Sequence, residues 1–541
     1  SKTGSSLGHY FRGLAGQDMA GIDDIGGQVM PGQEDLDLNM PPFHSRNGSF
    51  YHYGLGKLGS SAAAIEPLKK GNSMCEIFGA YGWGEGVRLE KYLLDHFMVR
   101  GINHFVPHAF SAKEYPDPDC PPHFYAHGNH PQYRHFGALM AYSNRVLELL
   151  NGGVHIAPAA VLYHGESEWM GDAMASDVVG HQLYDHQIDY DYIPQDVFLP
   201  ENAYDMEITY DAERVEGSFR VNTQNYRVLI VPKLQFITPH MKAALKQLQA
   251  AHFPVYFVDG LPEGVEGEVV PLSELAERLR KSGISEITIT PENNRIRYYH
   301  YEHVDGSAVY MFVNEGNSIY EGTVEMPESR ACYAYGAWEN TIQDAEAVRD
   351  ETTGITKVSL VLEPLKSYLL VFESREKAEA ILKEKTTPIS GEGVEIPFIG
   401  TWQRSICRSI EYPHFKAKKE VTIPDRLHEE EPEFSGFVRY ENRFEGEEAA
   451  TYILEISDAY EGVEVFLNGK SLGIQIVPSY RYELSSYVKD GENEIAIEVA
   501  TTLEREMAKY PNPYAKYIGQ EVKPSSFSGI TGEVRLLKHE N

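Results

Sequence analysis

The chain has 541 residues, a length that predicts about three to four domains. Hydrophobic residues make up 42% of it, enough for real cores, while 80 acidic side chains outnumber 48 basic ones and give a net charge of -32. This balance argues against a nucleic-acid or anionic-membrane partner, because both need clustered basic charge. The acidity is compatible with a neutral or cationic ligand, or simply keeps the protein in solution.

The cysteines are sparse and widely spaced. They are Cys75, Cys120, Cys332 and Cys407, with no CxxC pair among them. This pattern predicts neither a disulfide framework nor a zinc site, and a reducing, cytoplasmic compartment is expected. No apolar run reaches membrane-spanning length and no signal peptide opens the chain. The first residue is Ser1 rather than Met, as in a processed or truncated product.

Residues 1–152 alternate short apolar runs with helical patterns. Strands are predicted at 19–25, before Glu76 and at 102–110, and helices at 51–65, 87–99 and 136–150. Three strand–helix units with long loops after each strand predict part of a (β/α) barrel. A complete barrel takes roughly 250 residues, so either the fold is smaller or the front of the barrel lies outside this chain.

The stretch 71–86 holds the first catalytic candidate. Glu76 ends a short apolar run, and a loop rich in glycine with Tyr81 and Trp83 follows it. A carboxylate at the carboxyl end of a buried strand lies where α/β folds build active sites. Glycines let the backbone approach a ligand, and the two aromatic rings could stack on a pyranose or simply pack the loop. The alternative for Glu76 is a carboxylate stabilised by a helix N-terminus.

The two flanking strands carry the other candidates. Asp23 and Asp24 are adjacent on one strand, so their side chains point to opposite faces and only one can face the site. His104 and His108 are four residues apart and share a face, with His108 nearer the mouth of a barrel. An imidazole there could bind a sugar hydroxyl or orient a carboxylate, although a core role is favoured for His104.

Two further groups are weaker candidates. His123, His127 and His130 lie in one loop, but no cysteine or HExxH motif supports a metal, and none is predicted. Glu166 and Glu168 follow the first strand of the next α/β segment, a ligand-prone position on a chain with many surface acids.

Residues 153–285 predict a second α/β domain. Strands at 159–163, 226–231 and 253–258 and a helix that begins after Thr238 have the spacing of a parallel, flavodoxin-like sheet. The absence of GxGxxG and phosphate-loop motifs predicts that no nucleotide is bound, and no cofactor is expected.

From about residue 286 the hydrophobic period changes to two, which predicts antiparallel β-sandwiches at 286–385 and 386–541. The charged stretch 377–385 suits a connector between them. Asn468-Gly469 between two alternating runs predicts a type I′ hairpin. The predicted fold class is therefore multidomain, α/β followed by all-β.

Three segments resemble glycoside hydrolases. Residues 71–86 and 101–111 resemble the last two barrel strands of multidomain enzymes near glycoside hydrolase family 2 and the family 106 rhamnosidases. Residues 142–153, leading into 159–163, resemble the last barrel helix passing to a flavodoxin-like domain. Residues 458–473 are similar to the jelly-roll sugar-binding module of family 2, a module that is often purely structural.

The resemblance implies a glycosidase that acts on a carbohydrate. It places Glu76 at the nucleophile position of barrel strand seven, Asp23 and Asp24 on strand six, and His104 and His108 on strand eight. Strands one to five, with the acid/base carboxylate, would precede Ser1. The predicted catalytic residues are Glu76, Asp23 and Asp24, and the predicted substrate-binding residues are His108, Trp83, Tyr81 and His104.

Two alternatives stay open. One is a carbohydrate-binding or assembly protein without catalysis. The other is an inactive C-terminal piece of a larger hydrolase, which would self-associate or pair with its missing part through an open barrel edge. The sugar, the anomeric outcome and the second catalytic carboxylate are not predicted.

Overall fold

The computed structural model describes residues 8–40, 44–214, 216–386, 389, 393–510 and 524–539. The first part contains a three-stranded parallel sheet in the order β1-β4-β5. Its elements are α1 (Tyr10–Leu14), β1 (Ala20–Ile25), β2 (Asp37–Met40), β3 (His44–Asn47), a π-helical segment (Phe50–Leu55), α2 (Gly56–Ile65), β4 (Ser73–Gly79), α3 (Val87–Met98), β5 (His104–Pro107) and α4 (Tyr133–Leu149). The predicted strand–helix units are confirmed, although β5 is shorter than predicted because only His104–Pro107 pair with β4.

One face of this sheet is covered and the other is open. Ile22, Cys75 and Ile77 are buried on the face against which α2 packs. Asp23 and Glu76 project from the opposite, uncovered face. Within the described residues, β1 and β5 each have a single neighbour in the sheet, so both edges are open.

A five-stranded, fully parallel sheet follows. Its order is β14-β13-β12-β7-β8, which is 5-4-3-1-2 in order of appearance. The segment comprises β6 (Gly153–His155), β7 (Ala159–Tyr163), α5 (Gly165–Met170), α6 (Ser176–Tyr184), β8 (Tyr190–Pro194), β9 (Met206–Asp211), β10 (Glu216–Val221), β11 (Gln224–Tyr226), β12 (Val228–Val231), α7 (Pro239–Ala250), β13 (Val255–Val258), β14 (Glu268–Val270), α8 (Leu275–Lys281) and β15 (Thr288–Thr290). Thr238 accepts a hydrogen bond from the Met241 N–H, which confirms it as the N-cap of α7.

Two parts of this segment differ from the predicted layout. Strands β9, β10 and β11 form a separate antiparallel sheet between β8 and β12. Strand β6 does not join the parallel sheet. It pairs antiparallel with β16 (Ile296–His303), so the start of the predicted second domain is an edge strand of the sandwich that follows.

The first sandwich packs a six-stranded sheet, β20-β19-β23-β17-β16-β6, against a four-stranded one, β15-β18-β22-β21. After β16 its elements are β17 (Ala308–Asn314), β18 (Tyr320–Met326), β19 (Ala331–Gly336), β20 (Thr341–Gln343), β21 (Val348–Asp350), β22 (Ile355–Leu362), β23 (Ser367–Glu373) and α9 (Arg375–Ile381). The predicted connector at 377–385 is largely helical. Ser374 caps α9, and its Arg, Glu, Lys and Ala residues are strong helix formers.

The second sandwich has its own core between two antiparallel sheets, β24-β35-β28-β32 and β26-β25-β27-β33-β30-β31. Its elements are β24 (Val394–Ile396), β25 (Trp402–Cys407), β26 (Lys419–Val421), α10 (Leu427–Glu430), β27 (Phe437–Gly446), β28 (Thr451–Ile456), β29 (Ala459–Tyr460), β30 (Gly462–Leu467), β31 (Lys470–Gln475), β32 (Tyr480–Glu483), β33 (Gly491–Ala500), α11 (Glu504–Met507), β34 (Gly529–Ile530) and β35 (Val534–His539). Leu467 pairs with Lys470, and Asn468 and Gly469 both have positive φ, which confirms the type I′ hairpin.

A buried ion network joins the first sheet to the first sandwich. The Glu315 carboxylate accepts hydrogen bonds from Arg100 Nη1 (2.7 Å) and Arg297 Nε (2.9 Å) and contacts His96 Nδ1 (2.8 Å), and all four side chains are fully buried. Burial would raise the pKa of Glu315, but Arg100, His96 and Arg297 outweigh it and hold the pKa well below its usual value. Burial and then Arg100 lower the pKa of His96 to about 4.

A second buried network joins α2 to the parallel sheet. Lys57 Nζ lies 3.1 Å from Asp189 Oδ1 and 3.5 Å from Asp191 Oδ1, and His155 Nε2 lies 2.7 Å from Asp189 Oδ2. Burial would raise the pKa of Asp189, but Lys57 and His155 reverse this and lower it to about 2. An apolar core also runs continuously from the first sheet through the parallel sheet to the first sandwich.

No disulfide links the four cysteines. No helix in the described ranges combines the length and apolar character needed to cross a bilayer.

Replacing Glu315 with Ala is expected to destabilise the joint core by about 3–5 kcal/mol, because Arg100 and Arg297 would be left buried without a counter-ion. Scanning calorimetry would show the transition of this core at lower temperature. The second sandwich, with its separate core, serves as an internal reference. Glu321→Ala, at an exposed position, is the control. Equal transition temperatures for Glu315→Ala and the control would contradict the role of the network.

Candidate active site

Two carboxylates lie side by side on the open face of the first sheet. In the parallel register, Asp23 of β1 is paired with Glu76 of β4, and Glu76 is paired with Val106 of β5. Neighbouring strands are about 4.8 Å apart, so the two acids start from adjacent positions on one face. Glu76 is the middle residue of β4, which continues to Gly79, and Asp23 lies two residues before the end of β1; the carboxyl ends of parallel strands are where ligand sites are usually placed.

The pair is electrostatically coupled. Loss of water around its carboxyl group and then the charge of Glu76 raise the pKa of Asp23, whereas His108 opposes the rise. Asp23 therefore holds a proton to higher pH than an isolated aspartate does. Adjacent like charges of this kind are typical of sites that handle protons or bind hydroxyl-rich ligands.

Asp24 lies on the other side of β1. It is fully buried, and the Tyr81 hydroxyl lies 2.9 and 3.0 Å from its two carboxylate oxygens. The same hydroxyl accepts a hydrogen bond from the Val29 N–H at 3.0 Å. This placement corrects the prediction of Asp24 as a catalytic residue and of Tyr81 as a stacking surface. Together they tie the loop after β4 to the loop after β1.

Trp83 also packs against neighbouring side chains. Its ring meets His123 edge-on, with centroids 5.4 Å apart, and it lies against a small cluster that includes Leu503 and Met507 of the second sandwich. Trp83 thus takes part in a contact between the loop after β4 and the second sandwich, and its stacking on a sugar ring stays a prediction.

The two strand histidines differ in their distance from the carboxylates. His104 is paired with Met74, two residues before Glu76, and its Nδ1 lies 2.9 Å from Asn103 Oδ1. The His108 N–H donates to the Ile77 carbonyl at 2.9 Å. A Cβ atom placed on Gly79 would lie 3.3 Å from the His108 ring, so His108 sits against the end of β4. The structure thus brings Asp23, Glu76 and His108 together and leaves His104 deeper in the sheet.

Val106 was missed by the sequence reasoning. It lies beside Glu76 on the open face and is 52% exposed. The signal was available, because alternation along β5 places Val106 on the face shared by His104 and His108. Assigning it to the site required the register between β4 and β5.

The structure gives little support for a bound metal ion. Two groups in the described part of the chain bring three potential ligands together, namely His9 with Glu166 and Asp196, and His300 with Glu302 and Glu328. Arg12 pairs with both carboxylates of the first group, and Arg330 pairs with both of the second. A guanidinium already contacts both acids of each pair, so neither group is assigned to a metal.

The loop histidines make local contacts instead. His127 Nε2 lies 2.6 Å from the Lys113 carbonyl, and His130 Nδ1 accepts from the Gln132 N–H at 3.2 Å. His123 is buried against Trp83.

No family model matches the sequence, and no curated protein matches it. Among solved structures, the chain is similar to a rhamnosidase from Novosphingobium sp. PP1Y, with a TM-score of 0.68 and 15% identity over 98% of this chain and 52% of that chain. This chain therefore spans about half the length of that enzyme. The similarity shows a shared fold and confirms, at that level, the resemblance to multidomain glycoside hydrolases.

Two further similarities are weaker. One is to α-L-fucosidase isoenzyme 2 from Paenibacillus thiaminolyticus, with a TM-score of 0.39 and 9% identity over 58% of this chain and 62% of that one. The other is to an exo-carrageenase from Bacteroides ovatus, with a TM-score of 0.34 and 11% identity over 54% of this chain and 40% of that one. Neither carries an argument about this protein.

Replacing Glu76 with Gln is expected to lower the pKa of Asp23 toward its ordinary value, since the charge that helps to raise it is removed. A pH titration followed by NMR of 13C-carboxyl-labelled aspartate measures this, with Asp23→Asn to assign the signal. Glu114→Gln, on the exposed part of the next loop, should leave the titration unchanged. An unaltered Asp23 titration in Glu76→Gln would show that the two carboxylates do not interact.

Proposed function

We propose that this chain is the C-terminal part of a glycoside hydrolase whose active site is built on the open face of β1, β4 and β5. The observation that carries the proposal is the pairing of Asp23 with Glu76 on adjacent parallel strands, with His108 at their carboxyl end. The shared fold with a rhamnosidase about twice as long supports it.

In this proposal the first sheet is the last three strands of a (β/α)8 barrel within residues 1–152. All-parallel sheets are normally covered on both faces, and here one face carries Met74 and Val106 without a covering layer among the described residues. Further strands that close a barrel would cover that face and pair with the open edges of β1 and β5.

We assign the remaining domains in the same proposal. The strand order 2-1-3-4-5 of the parallel sheet is that of a flavodoxin-like domain within 153–285, apart from β6, which we assign to the first sandwich. The sandwich at 286–385 and a jelly-roll, sugar-binding-like module at 386–541 complete the chain.

Glu76 is assigned as nucleophile or general base. Glycoside hydrolysis uses two carboxyl groups on opposite sides of the scissile bond, about 5–5.5 Å apart in retaining enzymes and about 6.5–9.5 Å apart in inverting ones. Asp23 lies beside Glu76 on the same wall, so the two cannot flank a sugar from opposite sides. The carboxyl group that protonates the leaving oxygen must therefore come from the facing wall, on barrel strands outside this chain.

Asp23 and His108 are assigned to substrate binding. An aspartate that keeps its proton to raised pH can donate or accept a hydrogen bond with a sugar hydroxyl beside Glu76. His108 offers an imidazole at the mouth of the same face, and Val106 gives an apolar surface for the sugar ring. The rhamnosidase neighbour makes aryl rhamnosides the first substrates to test within a panel of aryl glycosides.

Glu76→Gln is expected to reduce glycoside hydrolysis by about 100- to 10,000-fold, because the amide cannot act as nucleophile or base. The assay uses aryl glycosides, and circular dichroism checks that the fold is retained. It is run on this chain and on a longer protein that supplies the remaining barrel strands. Glu114→Gln is the matched control.

Wild-type turnover in Glu76→Gln would remove Glu76 from catalysis. Sugar binding without turnover by either protein, measured by calorimetry, would instead favour the carbohydrate-binding alternative.

A further inference from the structure

The glycine-rich loop after β4, residues 80–86, is in contact with the second sandwich. A Cβ atom on Gly86 would overlap the Glu461 carboxylate, and one on Gly84 would lie 3.2 Å from Glu504. The φ of Gly86 is -138°, a conformation open to any residue, so its requirement for glycine is spatial. These glycines admit side chains of another domain rather than a ligand.

The second sandwich also caps the helix that follows the loop. Gly86 is the N-cap of α3 and has no side chain to accept its first N–H groups. The Arg88 N–H donates to Glu461 Oε1 at 3.3 Å, and the Val87 N–H donates to Gln132 Oε1 at 3.0 Å. Gln132 Nε2 in turn donates to Glu461 Oε1 (3.4 Å), which links the two caps.

Arg88, in the first turn of α3, makes a second set of contacts with the second sandwich. Arg88 Nη2 donates to Asp458 Oδ1 at 2.7 Å and to the Ala459 carbonyl at 2.6 Å. Its guanidinium also lies over the Tyr460 ring, 4.8 Å from the centroid. Loop, helix start and second sandwich therefore form one contact zone.

This contact zone contains more buried carboxyl groups than cations that could pair with them. Glu85, Glu90 and Glu461 are 2%, 3% and 5% exposed, and neither carboxylate oxygen of Glu85 has a hydrogen-bond partner among the residues that the structure describes. Burial, followed by the charges of neighbouring acids, raises the pKa of Glu85 and of Glu90 well above the ordinary value. Burial also raises the pKa of Glu461, with Arg88 acting against it.

The charged and titratable groups around these carboxyls come from four elements. They are Asp24 from β1, Tyr81 from the loop, Arg88 from α3, and Asp458, Tyr460 and Tyr480 from the second sandwich. Arg88 is the single cation among them. The contact of the loop and the start of α3 with the second sandwich is therefore most stable when these carboxyl groups are protonated and neutral.

We propose that the second sandwich is a positioning element of the active site, which holds loop 80–86 and the first turn of α3 through Glu461 while the buried acids Glu85 and Glu90 make this attachment depend on protonation. Loop 80–86 connects the strand of Glu76 to α3, so its attachment fixes the end of that strand. The consequence for catalysis rests on the proposed function, whereas the attachment itself does not.

The direction of the pH dependence follows from the linkage between protonation and stability. A carboxyl whose pKa is raised in the closed contact stabilises that contact fully below its ordinary pKa of about 4.3, and the stabilisation is lost as pH rises through the raised pKa. The loop should therefore loosen toward alkaline pH.

The test is hydrogen–deuterium exchange of the full chain at pH 5, 7 and 9, with rates corrected for intrinsic exchange, in peptides covering residues 80–92. Protection is expected to fall at least tenfold from pH 5 to pH 9. Glu461→Ala removes the cap and should lower the protection of the segment at every pH, while Arg88 keeps its contacts with Asp458 and Ala459. The double variant Glu85→Gln/Glu90→Gln keeps the oxygen acceptors without their charge, so it should keep protection at pH 9.

Glu494→Gln, at an exposed position on β33, is the matched control and should behave as the unchanged chain does. Native protection in Glu461→Ala would overturn the positioning role. A pH dependence in Glu85→Gln/Glu90→Gln equal to that of the control would overturn the protonation dependence. Neither readout involves activity, so failure here is distinguishable from failure of the proposed glycosidase.

Discussion

The placement of α3 depends on a single buried carboxylate, Glu315, which is shared by two arginines and a histidine. A buried ion of this kind is tolerated only while all its partners stay in place, because each lost partner leaves an unpaired charge in a low-dielectric core. His96 and Arg100 lie at the carboxyl end of α3, and the first sandwich supplies Glu315 and Arg297. The amino end of the same helix is capped from the second sandwich by Glu461. The helix after the Glu76 strand is thus held at both ends by β domains.

This arrangement gives the two sandwiches a role that their composition does not suggest. Among their described residues, neither contributes a side chain to the face that carries Asp23 and Glu76, yet both contact the unit formed by β4, loop 80–86 and α3. Carboxylates must be held within fractions of an ångström for efficient chemistry, and rigid supports on both sides of a loop provide that precision. The glycines serve the same end, since a side chain at Gly86 would push the second sandwich away.

Much of this could be predicted from the sequence where the cause is local. Thr238 as a helix cap and Asn468-Gly469 as a hairpin each depend on neighbouring residues, whereas the strand predicted to end at Glu76 continues to Gly79. The choice between Asp23 and Asp24 needed the register of β1 against β4, which alternation alone does not supply. Glu315 and Glu461 could not be found, because their partners His96 and Arg88 lie hundreds of positions away and surface acids abound on this chain. The loop glycines stand out in the sequence. The sequence could not show whether they make room for a ligand or for a neighbouring domain, because both require a position without a side chain.

The open face of the first sheet carries the side chains that limit the chemistry available to this chain's own residues. Adjacent strands of a parallel sheet present Asp23, Glu76 and His108 from the same side, and in the proposed glycosidase they form one wall of the site. A reaction that needs proton donation and nucleophilic attack from opposite sides of a sugar cannot be completed by one wall. In the proposed glycosidase, the raised pKa of Asp23 suits hydroxyl binding beside Glu76, and proton delivery is assigned to a group on the facing wall.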